Sequence, residues 1–208
     1  MAFIDLMKEK ARQNRKTIVL PESEDQRTLT AAAQILKEGT ADLILVGNAE
    51  TIKKDAAALN ADIEGVKIVD PETDPKFDHY AETLFKLREK KGMTLEKATA
   101  TLKSDLITYG VMMVKMGDAD GMVSGACHST ADTLRPCLQI LKTKPGTKLV
   151  SAFFLMVVPN CEYGANGAFV FADSGLNQNP TSEELAAIAA SSAESFELLV
   201  QEKPIVAM

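Results

Sequence analysis

Short apolar segments alternate with longer segments in which apolar residues recur at helical spacing. The short segments lie at 17–20, 41–46, 66–69 and 120–123, and each is followed by proline, glycine or a polar turn. A run of this length and composition is typical of a buried strand. Strands that alternate with helices predict an α/β fold, with a mostly parallel sheet and helices on both of its faces.

The helical segments have recognisable ends. Helices are predicted at 4–14, from about 23 to 38, at 50–59, at 76–91, after Thr94, and at 105–116. We expect Ser23 to cap the second helix and Thr94 to cap the helix that carries Glu96 in its first turn. A further helix follows residue 124, and Pro136 is tolerated if that helix begins near Thr133.

A joint rich in lysine, proline and glycine at 142–146 predicts a domain boundary, giving a first domain at 1–145 and a partial second domain at 146–208. Beyond it, 149–158 and 167–171 are predicted strands joined by a loop. Thr181 and Glu184 form a capping box that opens a helix to about residue 200. Residues 204–208 read as the start of another buried strand.

Composition excludes several classes of protein. The 208 residues are 46% hydrophobic and carry a formal net charge of −6, with no basic stripe, so we expect no nucleic-acid partner. No apolar run reaches the ~18 residues of a membrane span. The N-terminal residues mix acids and bases as an amphipathic helix does, unlike a signal peptide. We therefore expect a cytoplasmic protein.

The cysteines and acids indicate neither a disulfide framework nor a metal. Cys127, Cys137 and Cys161 show no C-x-x-C spacing. Cys127 lies beside a glycine turn and next to His128, which raises the alternative of a nucleophile, but adjacency in sequence does not establish a catalytic pair. The acids at 22, 24 and 25 raise the alternative of a metal site, and we predict that they cap the following helix instead.

One stretch combines features suited to an anion. The apolar run at 121–123 ends in Ser124-Gly125, and hydroxyl residues then open a helical pattern that carries Arg135. The unpaired N–H groups and the dipole of a first helical turn favour negative charge. A guanidinium adds a forked donor for phosphate or carboxylate. The alternative is a set of ordinary helix caps with a solvated arginine.

The same stretch, VSGACHSTADTLRP at 123–136, resembles the signature of the phosphate acetyltransferases. The resemblance continues in order through the chain, in the blocks KTIVLPESEDQRTL (16–29), AFF (152–154), VPNCEYG (158–164) and FADSG (171–175). It implies two three-layer α/β/α domains with a cleft between them, as in isocitrate and isopropylmalate dehydrogenases, and commonly a homodimer. The second domain is then incomplete, because the similarity covers about the N-terminal two thirds of the family's chain.

The resemblance also implies a reaction. Phosphate acetyltransferases convert acetyl-CoA and phosphate to acetyl phosphate and coenzyme A by direct thiolate attack in a ternary complex. They need no bound cofactor, because coenzyme A and acetyl-CoA are substrates. By the resemblance, Arg135 and Arg88 are the expected catalytic residues. The expected substrate-binding residues are Ser124, Gly125, Ser129, Thr130 and Thr133.

One family element is absent from the sequence. The family's catalytic aspartate follows a Ser-Arg-Gly-Cys block, which these 208 residues do not contain. We therefore expect residues 1–208 alone to be inactive. Three alternatives remain: a phosphobutyryltransferase or other acyl-phosphate transferase, a non-catalytic regulatory domain of the same fold, and a decarboxylating dehydrogenase that binds NAD or NADP. No G-x-G-x-x-G or Walker motif supports a nucleotide.

Overall fold

The computed structural model describes residues 3–208 and separates into two compact units. The first unit is Lys8–Lys142, and the second is Thr143–Met208 together with residues up to Met7. Within residues 3–208, no helix has the length and apolar character needed to cross a membrane.

The first unit is built on a four-stranded sheet whose strands all run parallel. Its strands are β1 (Thr17–Leu20), β2 (Asp42–Val46), β3 (Lys67–Val69) and β4 (Gly121–Met122). They stand side by side in the order β3-β2-β1-β4. The two central strands carry Val19, Leu45 and Val46, none of which is exposed, as expected for a sheet covered on both faces.

Helices cover both faces of this sheet. The helices of the chain's first part are α1 (Phe3–Gln13), α2 (Gln26–Glu38), α3 (Ala49–Ala58), α4 (Phe77–Arg88, extended by a 3-10 turn at Glu89–Lys91), α5 (Leu95–Ser104), α6 (Leu106–Lys115) and α7 (Thr130–Ile140). One hydrophobic cluster joins the sheet to α2 and α3. A second joins its other face to α4, α5, α6 and α7. The first unit is therefore a three-layer α/β/α structure, as the sequence predicted.

The second unit contains an antiparallel strand pair and one long helix. Strands β5 (Phe153–Val157) and β6 (Ala168–Ala172) pair through their full length. Helix α8 (Ser182–Val200) begins with the predicted capping box of Thr181 and Glu184. The loop after β6 is organised by Asp173, which accepts hydrogen bonds from Ser151 and from three successive backbone N–H groups at 175–177. The parallel arrangement predicted from the sequence thus applies to the first unit alone.

Three local predictions were wrong. Helix α2 is capped by Asp25, whereas the Ser23 hydroxyl donates to the carbonyl of Val46 across the sheet edge. Helix α7 begins at Thr130 and not near Thr133, because Ser129 caps it, and Pro136 therefore lies inside the helix. Residues 204–208 form no strand, and in the described part of the chain they pair with neither β5 nor β6.

Candidate functional site

The site lies where the sheet order changes direction. From β1 the chain moves outward through β2 and β3, and it then returns to place β4 on the opposite side of β1. The loops that follow β1 and β4 therefore leave the same edge of the sheet in opposite directions, and the crevice between such loops is where open α/β sheets bind ligands. The predicted anion-binding stretch at 124–135 follows β4.

Glu22, which follows β1, joins the two loops. One carboxylate oxygen accepts the N–H groups of Gly125 at 2.7 Å and Ala126 at 2.8 Å. The other accepts those of Cys127 at 3.0 Å and His128 at 2.9 Å. His128 Nδ1 lies 2.9 Å from the same oxygen. The anion that fills this backbone nest is therefore the protein's own carboxylate.

The backbone of the β4 loop is shaped for this contact. Gly125 has φ of 112°, in a region that residues with a side chain rarely adopt, so the loop can turn its successive N–H groups towards Glu22. Arg27 on α2 donates to the carbonyl of Ala126 and also pairs with Asp25 at 2.7 Å. The two loops are thus linked by a second contact.

The contacts determine the charge state of Glu22. Burial alone would raise the pKa of this carboxyl, since its side chain is 2% exposed. The hydrogen bonds from Cys127, Ala126, His128 and Gly125 outweigh burial and hold its pKa well below the usual range. The bond to Glu22 in turn raises the pKa of His128. Glu22 is therefore ionised near neutral pH.

Cys127 is poorly placed to act as a nucleophile. Its Sγ lies 3.6 Å from a Glu22 oxygen and 3.7 Å from a Glu24 oxygen. Desolvation and the charges of Glu24 and Glu22 raise the pKa of the thiol to about 11. A thiol with that pKa is protonated at neutral pH, whereas a reactive cysteine needs a lowered pKa.

Three of the predicted residues, Ser129, Thr130 and Arg135, lie on the exposed side of α7, at its cap and in its first two turns. The Ser129 hydroxyl accepts the backbone N–H of Asp132 and donates to the carboxylate of Asp132 at 2.6 Å. Thr130 is exposed, and the Arg135 side chain is 65% exposed, with Asp132 as its nearest acid at 4.0 Å. A guanidinium and a helix N-terminus therefore face solvent together.

Two further predicted residues are less exposed. The hydroxyl oxygens of Ser124 and Thr133 are buried and have no hydrogen-bond partner among residues 3–208. The Nε of Arg88, at the end of α4, is also buried without a partner in the described part of the chain. Arg88 and Arg135 lie on different helices, α4 and α7. The structure therefore brings together the residues of 124–135, and Arg88 stays a prediction from the resemblance.

The role of Glu22 differs from the predicted one. The acids at 22, 24 and 25 were predicted to cap the following helix, and of these Asp25 is the cap. A signal was present in the sequence, since Glu22 lies two residues after one strand and the glycine turn follows another. The adjacency of β1 and β4, which lie about one hundred residues apart in the chain, could not be read from either segment.

Residues 2–208 match the family model described as phosphate acetyl/butaryl transferase. The chain belongs to this family. The resemblance noted in the sequence is thereby confirmed.

Relatives within the phosphate acetyl/butaryl transferase family are close in sequence. The chain is 57% identical over 208 residues to a phosphate acetyltransferase of Acetivibrio thermocellus and 54% identical over 208 residues to one of Thermoanaerobacterium thermosaccharolyticum. All of this chain is covered in both comparisons, but the chain spans only 62% of the length of each relative.

Solved structures show the same fold. A phosphotransacetylase from Streptococcus pyogenes superposes with a TM-score of 0.87 at 40% identity, covering 96% of this chain and 59% of that one. The EutD phosphotransacetylase from Staphylococcus aureus gives 0.85 at 35% identity, covering 95% and 58%.

Proposed function

We propose that the chain carries the phosphate-binding part of an acyl-transfer site, in which acetyl-CoA and phosphate are interconverted with acetyl phosphate and coenzyme A. Its membership of the phosphate acetyl/butaryl transferase family supports the reaction class. The names of its relatives support the acetyl group.

The exposed N-terminal turn of α7 is the observation that carries the proposal. Arg135, in the second turn of α7, is largely exposed and has no acid closer than 4.0 Å. Its guanidinium can reach a phosphate beside the helix terminus, where the dipole favours negative charge. The N–H groups of the β4 loop are bound to Glu22, so the phosphate would rely on α7 and Arg135.

The surrounding groups support direct thiolate attack without a covalent enzyme intermediate. The raised pKa of Cys127 keeps its thiol protonated. Asp132 is the nearest carboxylate to Arg135, and its hydrogen bond from Ser129 lowers its pKa, which makes it a poor base. We propose that the base for the coenzyme A thiol lies outside residues 1–208, in the part of the family's chain that the present match does not cover.

Arginine variants test the phosphate assignment. We expect Arg135→Ala to weaken phosphate and acetyl phosphate binding by about 1.5–3 kcal/mol, the scale of a charge-assisted hydrogen bond, measured by isothermal titration of the 208-residue chain. Arg135→Lys should be weakened too, because an ammonium cannot make the forked contact. Arg12→Ala, on the exposed side of α1, is the control. Equal affinities for all four proteins would contradict the assignment.

Turnover tests the reaction itself. The 208-residue chain is joined after Met208 to the part of the Acetivibrio thermocellus relative that the resemblance places there, and phosphate-dependent release of coenzyme A is measured. We expect turnover in the joined protein and its loss in the Arg135→Ala variant. An inactive joined protein that folds and still binds acetyl-CoA would contradict the reaction.

The acyl group has one specific alternative. The family description also includes a butaryl transferase, so a phosphobutyryltransferase is the second candidate. A panel of acetyl-, propionyl- and butyryl-CoA, assayed in the joined protein, distinguishes the two. We also propose that the protein is a cytoplasmic homodimer. Light scattering of the joined protein tests the dimeric state.

A further inference from the structure

Three metal-ligating atoms converge between the loops that follow β1 and β4. They are Glu22 Oε1, Cys127 Sγ and His128 Nδ1, which all lie within 4.8 Å of one another. They come from two segments more than one hundred residues apart, so their approach is a product of the fold.

The separations match those of a small tetrahedral cation site. In a tetrahedral zinc site, bonds of about 2.3 Å to sulfur and about 2.0–2.2 Å to nitrogen and oxygen place ligand atoms about 3.4–3.6 Å apart. Here Cys127 Sγ lies 3.5 Å from His128 Nδ1 and 3.6 Å from Glu22 Oε1. Only the hydrogen-bonded pair of His128 Nδ1 and Glu22, at 2.9 Å, would have to separate, by about 0.5 Å.

Charge and ligand type favour the same ion. One thiol, one imidazole and one carboxylate are the ligand set of zinc and similar borderline-soft metals, unlike the all-oxygen sets of calcium and magnesium. Glu24, whose Oε1 lies 3.7 Å from Cys127 Sγ on an exposed side chain, adds a second negative charge and can move to a fourth position. Water is the other possible fourth ligand.

We propose that Glu22, Cys127 and His128 form a binding site for Zn²⁺ or a similar thiophilic divalent cation. The metal takes the place of the hydrogen that lies between His128 Nδ1 and Glu22. A neutral imidazole then carries that hydrogen on Nε2. The Cys127 thiol loses its proton to solvent and binds as thiolate. Glu22 Oε1 keeps the N–H groups of Cys127 and His128 and gains the metal, so the two loops stay joined.

Cobalt substitution tests the site independently of activity. The reduced, metal-free 208-residue chain is titrated with Co²⁺, whose bond to a thiolate gives a charge-transfer band in the near ultraviolet. We expect the band to saturate at one equivalent and Zn²⁺ to abolish it by displacement. Cys127→Ser should remove the band, and His128→Gln should lower Co²⁺ affinity at least tenfold.

The chain offers matched controls of both residue types. Cys161→Ser and His79→Gln leave the cluster intact and should titrate as the unsubstituted chain does. Circular dichroism confirms that each variant is folded. The absence of a thiolate band in the unsubstituted chain would overturn the site. So would loss of the band in Cys161→Ser but not in Cys127→Ser, or equal affinity in His128→Gln.

Discussion

Replacing Glu22 by glutamine tests whether this carboxylate holds the two loops together. The substitution keeps the size and shape of the side chain but removes its charge and one of its acceptor oxygens. In the native protein both oxygens accept N–H groups, two from Gly125 and Ala126 and the others from Cys127 and His128. A glutamine NH₂ group must therefore face at least two donors.

The expected loss follows from those contacts. A hydrogen bond to a charged group contributes about 1.5–3 kcal/mol, and two such bonds are lost when the amide oxygen faces Cys127 and His128. Gly125 is exposed, so water can accept its N–H group and partly offset the loss of one bond. We expect Glu22→Gln to lower the free energy of unfolding by about 2–4 kcal/mol, measured by urea denaturation with far-ultraviolet circular dichroism.

The effect should depend on pH with a definite sign. The pKa of Glu22 is lowered in the folded state, so its contribution is complete above the pKa of an unfolded glutamate, about 4.3, and declines as the pH falls below it. At about 1.4 kcal/mol per pH unit, the difference between the native chain and Glu22→Gln should shrink by about 1.5 kcal/mol from pH 5 to pH 3.

The neighbouring acid provides the control. Glu24 is exposed, and its carboxylate contacts the thiol of Cys127 at 3.7 Å but accepts none of the loop N–H groups. Glu24→Gln should therefore change stability by less than about 0.5 kcal/mol. The reasoning is refuted if Glu22→Gln is as stable as Glu24→Gln, or if its deficit stays constant between pH 5 and pH 3.

Three further outcomes are expected. A Cys127→Ala, Cys161→Ala double variant of the joined protein should keep its turnover, and a loss of several orders of magnitude would support a covalent acyl-enzyme. Asp173→Asn should destabilise the chain by about 1–3 kcal/mol in urea denaturation, because one amide cannot accept from both Ser151 and the backbone. The 208-residue chain alone should release no coenzyme A from acetyl-CoA, and turnover within tenfold of a full-length relative would place the base within it.

Local and periodic features were determined by the sequence itself. Strand β1 lies where the apolar run predicted it, and the capping box of Thr181 and Glu184 opens α8 as expected. Such features depend on residues a few positions apart, so the chain encodes them directly. The family signature at 123–136 was also readable, because it is a continuous string.

Only the tertiary structure decided the role of each acid after β1. Glu22, Glu24 and Asp25 look alike as a cluster of acids at a helix start, yet Asp25 caps α2 and Glu22 binds the β4 loop. The difference depends on β4 pairing with β1, a long-range contact that no local pattern specifies. Residues 204–208 show the same limit, since an apolar sequence forms a strand only where a neighbouring strand pairs with it.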